Sequence, residues 1–310
     1  MSTHTALSGG GRPSLRPRAR LLLRAFLAAG VGCLASSAAP AHPAPVHPFR
    51  SGERLAYQVR WLGIPVLTTE LAVEGPVEWQ GERVLRYRLR LDSIGLLHRL
   101  YPVRDRAVSL ADSETLASRR ADIRQKEGFR YRSHKWLLFG KDHVLYGREE
   151  KTPVRHDAPE GVLDALAALY KIRAEALRPG SEIELSVFDR KRTRRVKVRV
   201  TQADRLDSLW GPIRTLRIEP EFEDESLNRK GRAWIWVTAD EARVPVRIES
   251  KTFVGSFVAH LIETHGLRGG PLASPPQKAL SAWRPSTEVV PENEGDTSER
   301  LKQFLNRKQK

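Results

Sequence analysis

Histidines, carboxylates and basic side chains are the groups in this sequence that could do chemistry, so their types and spacing are read first. The chain has 310 residues with nine histidines, 37 Asp and Glu residues and one cysteine, Cys33. His260 and His265 flank one apolar run and point to opposite faces if that run is extended. His42 and His47 sit in a Pro-rich stretch, where two imidazoles on a flexible segment are a weak metal signal. Asp240-Glu241 and Glu223-Asp224-Glu225 fall between apolar runs, where turns leave them in water. There is no Gly-x-Ser-x-Gly elbow, no His-Glu-x-x-His, no Walker A loop and no Gly-x-Gly-x-x-Gly after a strand. The sequence therefore names no catalytic residue, no metal ligand and no cofactor. An acid and a base gathered from distant strands would need no motif, so clustered carboxylates in a cleft would reopen the question.

Two clusters are left. Five of the six residues from Arg190 to Arg195 are basic: Arg190, Lys191, Arg192, Arg194 and Arg195. Such a run attracts an anionic surface such as lipid headgroups, lipopolysaccharide or an acidic polymer. It also suits a solvated hairpin tip whose charge keeps a sheet edge from pairing with another. No aromatic residues interleave the cations, which speaks against nucleic acid. The second cluster is Trp234 and Trp236, which share one strand face while Ala233, Ile235 and Val237 share the other. Both faces are apolar, so the run predicts a strand covered on both sides. With Tyr57 the two indoles are candidates for apolar contact with a ligand on a concave sheet; core filler is the competing reading.

The elements that would position these groups are mostly strands. Leu55, Tyr57, Val59 and Trp61 alternate with polar neighbours from Arg54 to Trp61, and Leu85, Tyr87, Leu89 and Leu91 do so from Val84 to Leu91. Further strands are expected at 66–74, 103–110, 117–125, 129–138, 143–148, 182–189, 196–202, 211–223 and 251–264. Ala239 to Ala242 link a hairpin between 231–238 and the run holding Val244, Val246 and Ile248. Pro245 has no amide proton, so it belongs at an edge or a bulge. One stretch breaks the pattern: Val162, Leu166, Leu169, Ile172 and Leu177 recur near helical spacing before Arg178-Pro179-Gly180. The fold class expected is mainly β, a strongly curved antiparallel sheet or barrel-like roll with one amphipathic helix at about 160–177.

The ends differ from this body. Residues 1–41 carry Arg12, Arg16, Arg18, Arg20 and Arg24 and no acid, then an apolar run from Ala25 to Ala35 and small residues. This is the layout of a signal peptide cleaved after Ala38 or Ala41, and the run is too short to span a bilayer. Cys33 follows Gly30-Val31-Gly32, a poor lipoprotein context, and cleavage at either site removes the only thiol. Of the formal net charge of +16, the segment contributes five, leaving +11 from 48 basic and 37 acidic residues. Residues 42–48 read as a Pro-rich spacer, 49–266 as one β-rich domain and 267–310 as a disordered tail.

The order of several motifs resembles the domain of unknown function 3108, a family of uncharacterised exported bacterial proteins. The matching stretches are Phe49-Arg-Ser-Gly-Glu-Arg-Leu-Ala-Tyr57, Trp61-Leu-Gly-Ile64, Ser93-Ile-Gly-Leu96, Leu100-Tyr-Pro-Val-Arg-Asp105, Leu163-Asp-Ala-Leu166 with Leu169-Tyr170, and Trp234-Ile-Trp-Val-Thr-Ala-Asp240. The resemblance implies a periplasmic or envelope β-domain and no established activity. The function expected is a non-catalytic periplasmic or cell-envelope protein that binds an amphipathic or anionic ligand, a lipid or glycolipid, on a concave sheet. The alternatives are an assembly factor that pairs a sheet edge with another envelope protein, and an enzyme on cell-wall or lipid substrates.

Overall fold

The structure, a computed structural model, describes residues 47–149, 151–189, 191–223, 228, 231–252 and 254–268. The expected signal peptide, most of the expected spacer, all but residues 267 and 268 of the expected tail, and Arg190 lie outside the described residues.

The chain runs as β1 (Arg54–Trp61), β2 (Ile64–Trp79), β3 (Glu82–Ser93), helix α1 (Gly95–Leu100), β4 (Arg104–Asp112) and β5 (Ser118–Glu127). It continues as β6 (Tyr131–Phe139), β7 (His143–Arg148), β8 (Lys151–Asp157), helix α2 (Ala165–Ala174), β9 (Glu182–Asp189) and β10 (Arg192–Ser208). The last four strands are β11 (Gly211–Phe222), β12 (Gly231–Thr238), β13 (Pro245–Thr252) and β14 (Gly255–His265). Among the described residues they form one 14-stranded antiparallel sheet in the order β8-β7-β6-β5-β4-β3-β2-β1-β14-β13-β12-β11-β10-β9. Each half is a plain meander, and the pairing of β1 with β14 joins the halves. The sheet stays open between β8 and β9.

Period-2 alternation sets the inner face. Across β2, β1, β14 and β13 the registers align Leu67, Val59, Ala259 and Ile248, all buried. Burial of this face is the main stabilising term, at about 25 cal/mol per Å² of apolar surface. Pro245 sits opposite a register shift between Trp236 and Val237, the bulge that its missing amide proton requires.

Helix α2 fills the roll. It begins at Asp164, whose Oδ1 accepts the N–H groups of Leu166 and Ala167 at 2.9 and 3.1 Å. Leu166, Ala167, Ala168, Tyr170, Ile172 and Arg173 are all buried. The helix is thus enclosed on nearly all sides and is not amphipathic, because it packs inside the curved sheet against β3, β4 and β9. It is also shorter than 160–177. Leu163 stays extended, donating to Ser186 O and accepting from Phe188 N, and so adds one bridge to the free edge of β9.

That bridge marks where two-sided burial occurs. Leu185 and Val187 of β9 pack in the main core, while Phe188 packs with Ala121, Leu137, Val144, Ala158 and Val162. Side chains of both faces are therefore buried in β9, whereas β12 leaves Trp234 and Trp236 half-buried. Two further elements were not expected from sequence, α1 and β8. The latter carries Pro153 and exposed Lys151, Val154 and Arg155 at the sheet's free edge.

Candidate functional site: a basic loop rim

The interior holds two buried polar networks. Glu53 and Arg173, both buried, meet through Nη1–Oε1 at 2.6 Å and Nη2–Oε2 at 3.1 Å. Arg173 also donates to Ala242 O and Arg243 O, and its guanidinium lies 5.3 and 5.4 Å from the rings of Phe49 and Tyr170. Tyr170 in turn stacks on Tyr87 at 4.0 Å. Asp164 Oδ2 accepts the hydroxyls of Ser109 and Ser118 at 2.7 and 2.6 Å, so one carboxylate ties α2 to β4 and β5. Burial pushes the Asp164 carboxyl up, and these hydrogen bonds offset part of the push.

A second buried network lies farther along β4 and β5. Asp105 and Glu127 are 0% and 1% exposed. Asp105 Oδ1 accepts the Lys126 N–H at 2.9 Å, Gln125 donates to Glu127 Oε1 at 3.0 Å, and Lys135 donates to Gln125 Oε1. Burial raises the Asp105 carboxyl to about 6. Both groups are shielded from solvent, and the network links β4, β5 and β6. Among the described residues no group of three or more His, Cys, Asp or Glu side chains could hold a metal ion.

The expected concave ligand surface is not assembled. Tyr57 is fully buried on the inner face and donates to Pro245 O at 2.9 Å. Trp234 and Trp236 lie half-buried on the outer face, because Ile235 and Val237 take the inner positions in register with Ile248, Ile218 and Leu216. Trp236 stands between Arg217 and Arg247 across the sheet, with the Arg247 guanidinium 4.9 Å from its ring. The inner face that should have held a ligand is packed against α2.

The basic cluster has a different setting. Lys191, with φ of +69°, turns the β9–β10 hairpin, and its Nζ lies 5.3 Å over the Tyr146 ring of β7. Arg192 and Arg195 are exposed, while Arg194 is largely covered, its Nε 3.8 Å from Asp189 Oδ2. The meander decides what surrounds this tip. In an antiparallel run successive connections alternate between two ends of the sheet. The registers place the β1–β2, β3–β4, β5–β6, β7–β8, β9–β10, β11–β12 and β13–β14 connections at one rim. Lys191 and Arg192 thus stand on the same rim as α1 and the β5–β6 turn, where Arg99, Arg104, Lys126 and Arg130 are exposed. Scanning for basic runs finds the tip; only topology gathers the rest.

A family model described as a protein of unknown function, DUF3108, matches residues 56–262. The chain belongs to the DUF3108 family. The match begins in β1 and ends in β14, so it spans the whole sheet of this DUF3108 protein. Among solved structures, a β-barrel-like protein of domain of unknown function DUF1849 from Brucella abortus superposes with a TM-score of 0.50 at 9% identity, covering 70% of this chain and 98% of that one. At that identity the likeness speaks for the fold alone. A protein with a YmcC-like fold from Bacteroides fragilis NCTC 9343 aligns at a TM-score of 0.28 and 12% identity, over 72% of this chain and 100% of that one. A search of curated proteins gives no match. No helix among the described residues is long and apolar enough to cross a membrane.

Proposed function

We propose that this DUF3108 protein is a non-catalytic cell-envelope protein that meets an anionic partner through its basic rim rather than inside the roll. The observation that carries the reading is the packing of α2, with Tyr57, Tyr87 and Tyr170 at 0% exposure where a bound lipid would sit. The cations are outside, on a rim held by the Lys191–Tyr146 contact. Export fits the Arg-rich, apolar start of the chain. Assembly by strand addition is disfavoured at the free edge, since Pro153 lacks a donor and Lys151 and Arg155 flank it.

The combined substitution Lys191→Glu, Arg192→Glu, Arg195→Glu tests the reading. Near an anionic surface each basic residue is worth about 1 kcal/mol, so losing three weakens binding to a soluble anionic polymer about a hundredfold at low salt. The loss shrinks as salt rises, because the Debye length falls to about 8 Å at physiological ionic strength. Unchanged affinity would sink the proposal. A stoichiometric lipid retained in native mass spectrometry would restore the internal-carrier reading.

A further inference from the structure

Three large apolar side chains are exposed among the described residues: Leu96 at 42%, Phe129 at 67% and Val154 at 49%. Val154 lies along the edge strand β8. The other two stand at the basic rim, Leu96 on α1 and Phe129 in the β5–β6 turn. These two pieces are fixed to each other. Gly128 N donates to Pro102 O at 2.8 Å, and a Cβ on Gly128 would fall 2.7 Å from the Tyr101 ring. Phe129 is therefore presented on a turn packed against the segment that follows α1.

Within the two segments that carry these anchors the exposed charge has one sign. The segments 94–104 and 126–132 contain Arg99, Arg104, Lys126, Arg130 and Arg132, all exposed, and one carboxylate, Glu127, which is buried. Asp105 beside them also points inward and is buried. Strand alternation thus hides the acids and leaves the cations facing out. Exposed apolar side chains ringed by Arg and Lys are what a surface needs to insert at headgroup depth while neutralising anionic lipid. A soluble acidic polymer would have no use for Phe129.

We infer that the partner of this rim is the headgroup surface of an anionic bilayer, entered by Phe129 and Leu96 and held by Arg99, Arg130 and the Lys191–Arg192 tip. This rests on the proposed basic-rim function and adds the identity of the partner. Docked this way, the strands stand across the membrane plane and the opposite rim, with the β4–β5 turn, stays in water.

A local probe tests the orientation. In the full chain with Cys33→Ser, Phe129→Cys is labelled with an environment-sensitive nitrobenzoxadiazole dye, and Glu114→Cys in the β4–β5 turn serves as the control. On phosphatidylglycerol vesicles the probe at 129 should shift to the blue and be quenched by nitroxide-labelled lipid, while the probe at 114 keeps its aqueous emission. Neither should respond to phosphatidylcholine vesicles. Phe129→Ser should weaken binding to phosphatidylglycerol vesicles tenfold or more and leave binding to the soluble anionic polymer unchanged. An aqueous signal at 129 on phosphatidylglycerol vesicles overturns the inference even if another part of the chain captures the vesicle. If polymer binding still depends on Lys191, Arg192 and Arg195 in that case, the proposed function stands and only the bilayer is excluded. Loss of both removes the parent reading as well.

Discussion

Substituting Arg173 with methionine is expected to destabilise the protein by about 3–5 kcal/mol, the cost of leaving one member of a buried ion pair without its partner. The guanidinium makes two hydrogen bonds to Glu53 and one each to the carbonyls of Ala242 and Arg243. It therefore ties the start of β1 to the end of α2 and the β12–β13 connection, three pieces far apart in sequence. Burial works against its charge, yet Glu53 outweighs that and holds the group more basic than a free arginine. Methionine fills much of the volume and packs well against Phe49 and Tyr170, but it leaves the Glu53 carboxylate in an apolar site with no counter-charge. The double substitution Glu53→Met, Arg173→Met should cost less than Arg173→Met alone, because no unpaired charge is then buried. Urea unfolding followed by tryptophan fluorescence reads both numbers. A cost below about 1 kcal/mol for the single change would mean that solvent reaches Glu53 and that α2 is not anchored as described.

What the residues revealed in advance depended on how local the deciding interaction is. Alternation in β1 and β3 was readable because one face meets the core along the whole strand, so Leu55, Tyr57 and Val59 announce themselves. The same signal misled at β12. Trp234 and Trp236 are apolar by type, yet they cover the outer face, where Trp236 stands between Arg217 and Arg247 and its indole is stabilised by cation contact as well as by burial. The doubly buried strand, β9, looks no different from its neighbours in sequence. Its second face is covered only because the roll curls until Phe188 meets Leu137 and Val144. Strand β8 was unreadable because Lys-Thr-Pro-Val-Arg-His-Asp has no apolar alternation, and an edge strand in water needs none. The helix start failed for a similar reason: periodicity extends past Leu163, whereas Asp164 caps at a point chosen by Ser109 and Ser118, 55 and 46 residues away. The basic rim was legible as a tip and illegible as a surface. Lys191 and Arg192 form a run, while Arg99, Phe129 and Arg130 become their neighbours only through the meander.

Replacing Asp105 with asparagine is expected to remove a stability loss of about 3 kcal/mol that the wild type suffers between pH 4 and pH 6. The folded protein holds this carboxyl at about 6, against an ordinary value of 3.8, because burial penalises its charge. The Lys126 N–H, the Gln125 side chain, Lys135 and Arg106 recover part of that penalty. Below about pH 4 both folded and unfolded chains carry the proton and the group adds no penalty. Between about 4 and 6 the unfolded chain gives the proton up while the folded chain keeps it, so stability falls as pH rises; two pKa units amount to about 3 kcal/mol. Above 6 the penalty is complete and constant. Asparagine keeps an acceptor for the Lys126 N–H and carries no charge, so its stability relative to wild type should rise across that window and level off above it. Carboxylates such as Asp92, Asp112 and Asp122, whose partners hold them below their ordinary value, give the opposite slope at lower pH in both proteins and cancel in the difference. Urea titrations of the two proteins at pH 4, 5, 6 and 7.5 measure that difference directly. A difference that stays flat from pH 4 to 7.5 would mean that Asp105 is hydrated in solution, and that the β4–β5–β6 network opens at the rim where Phe129 stands.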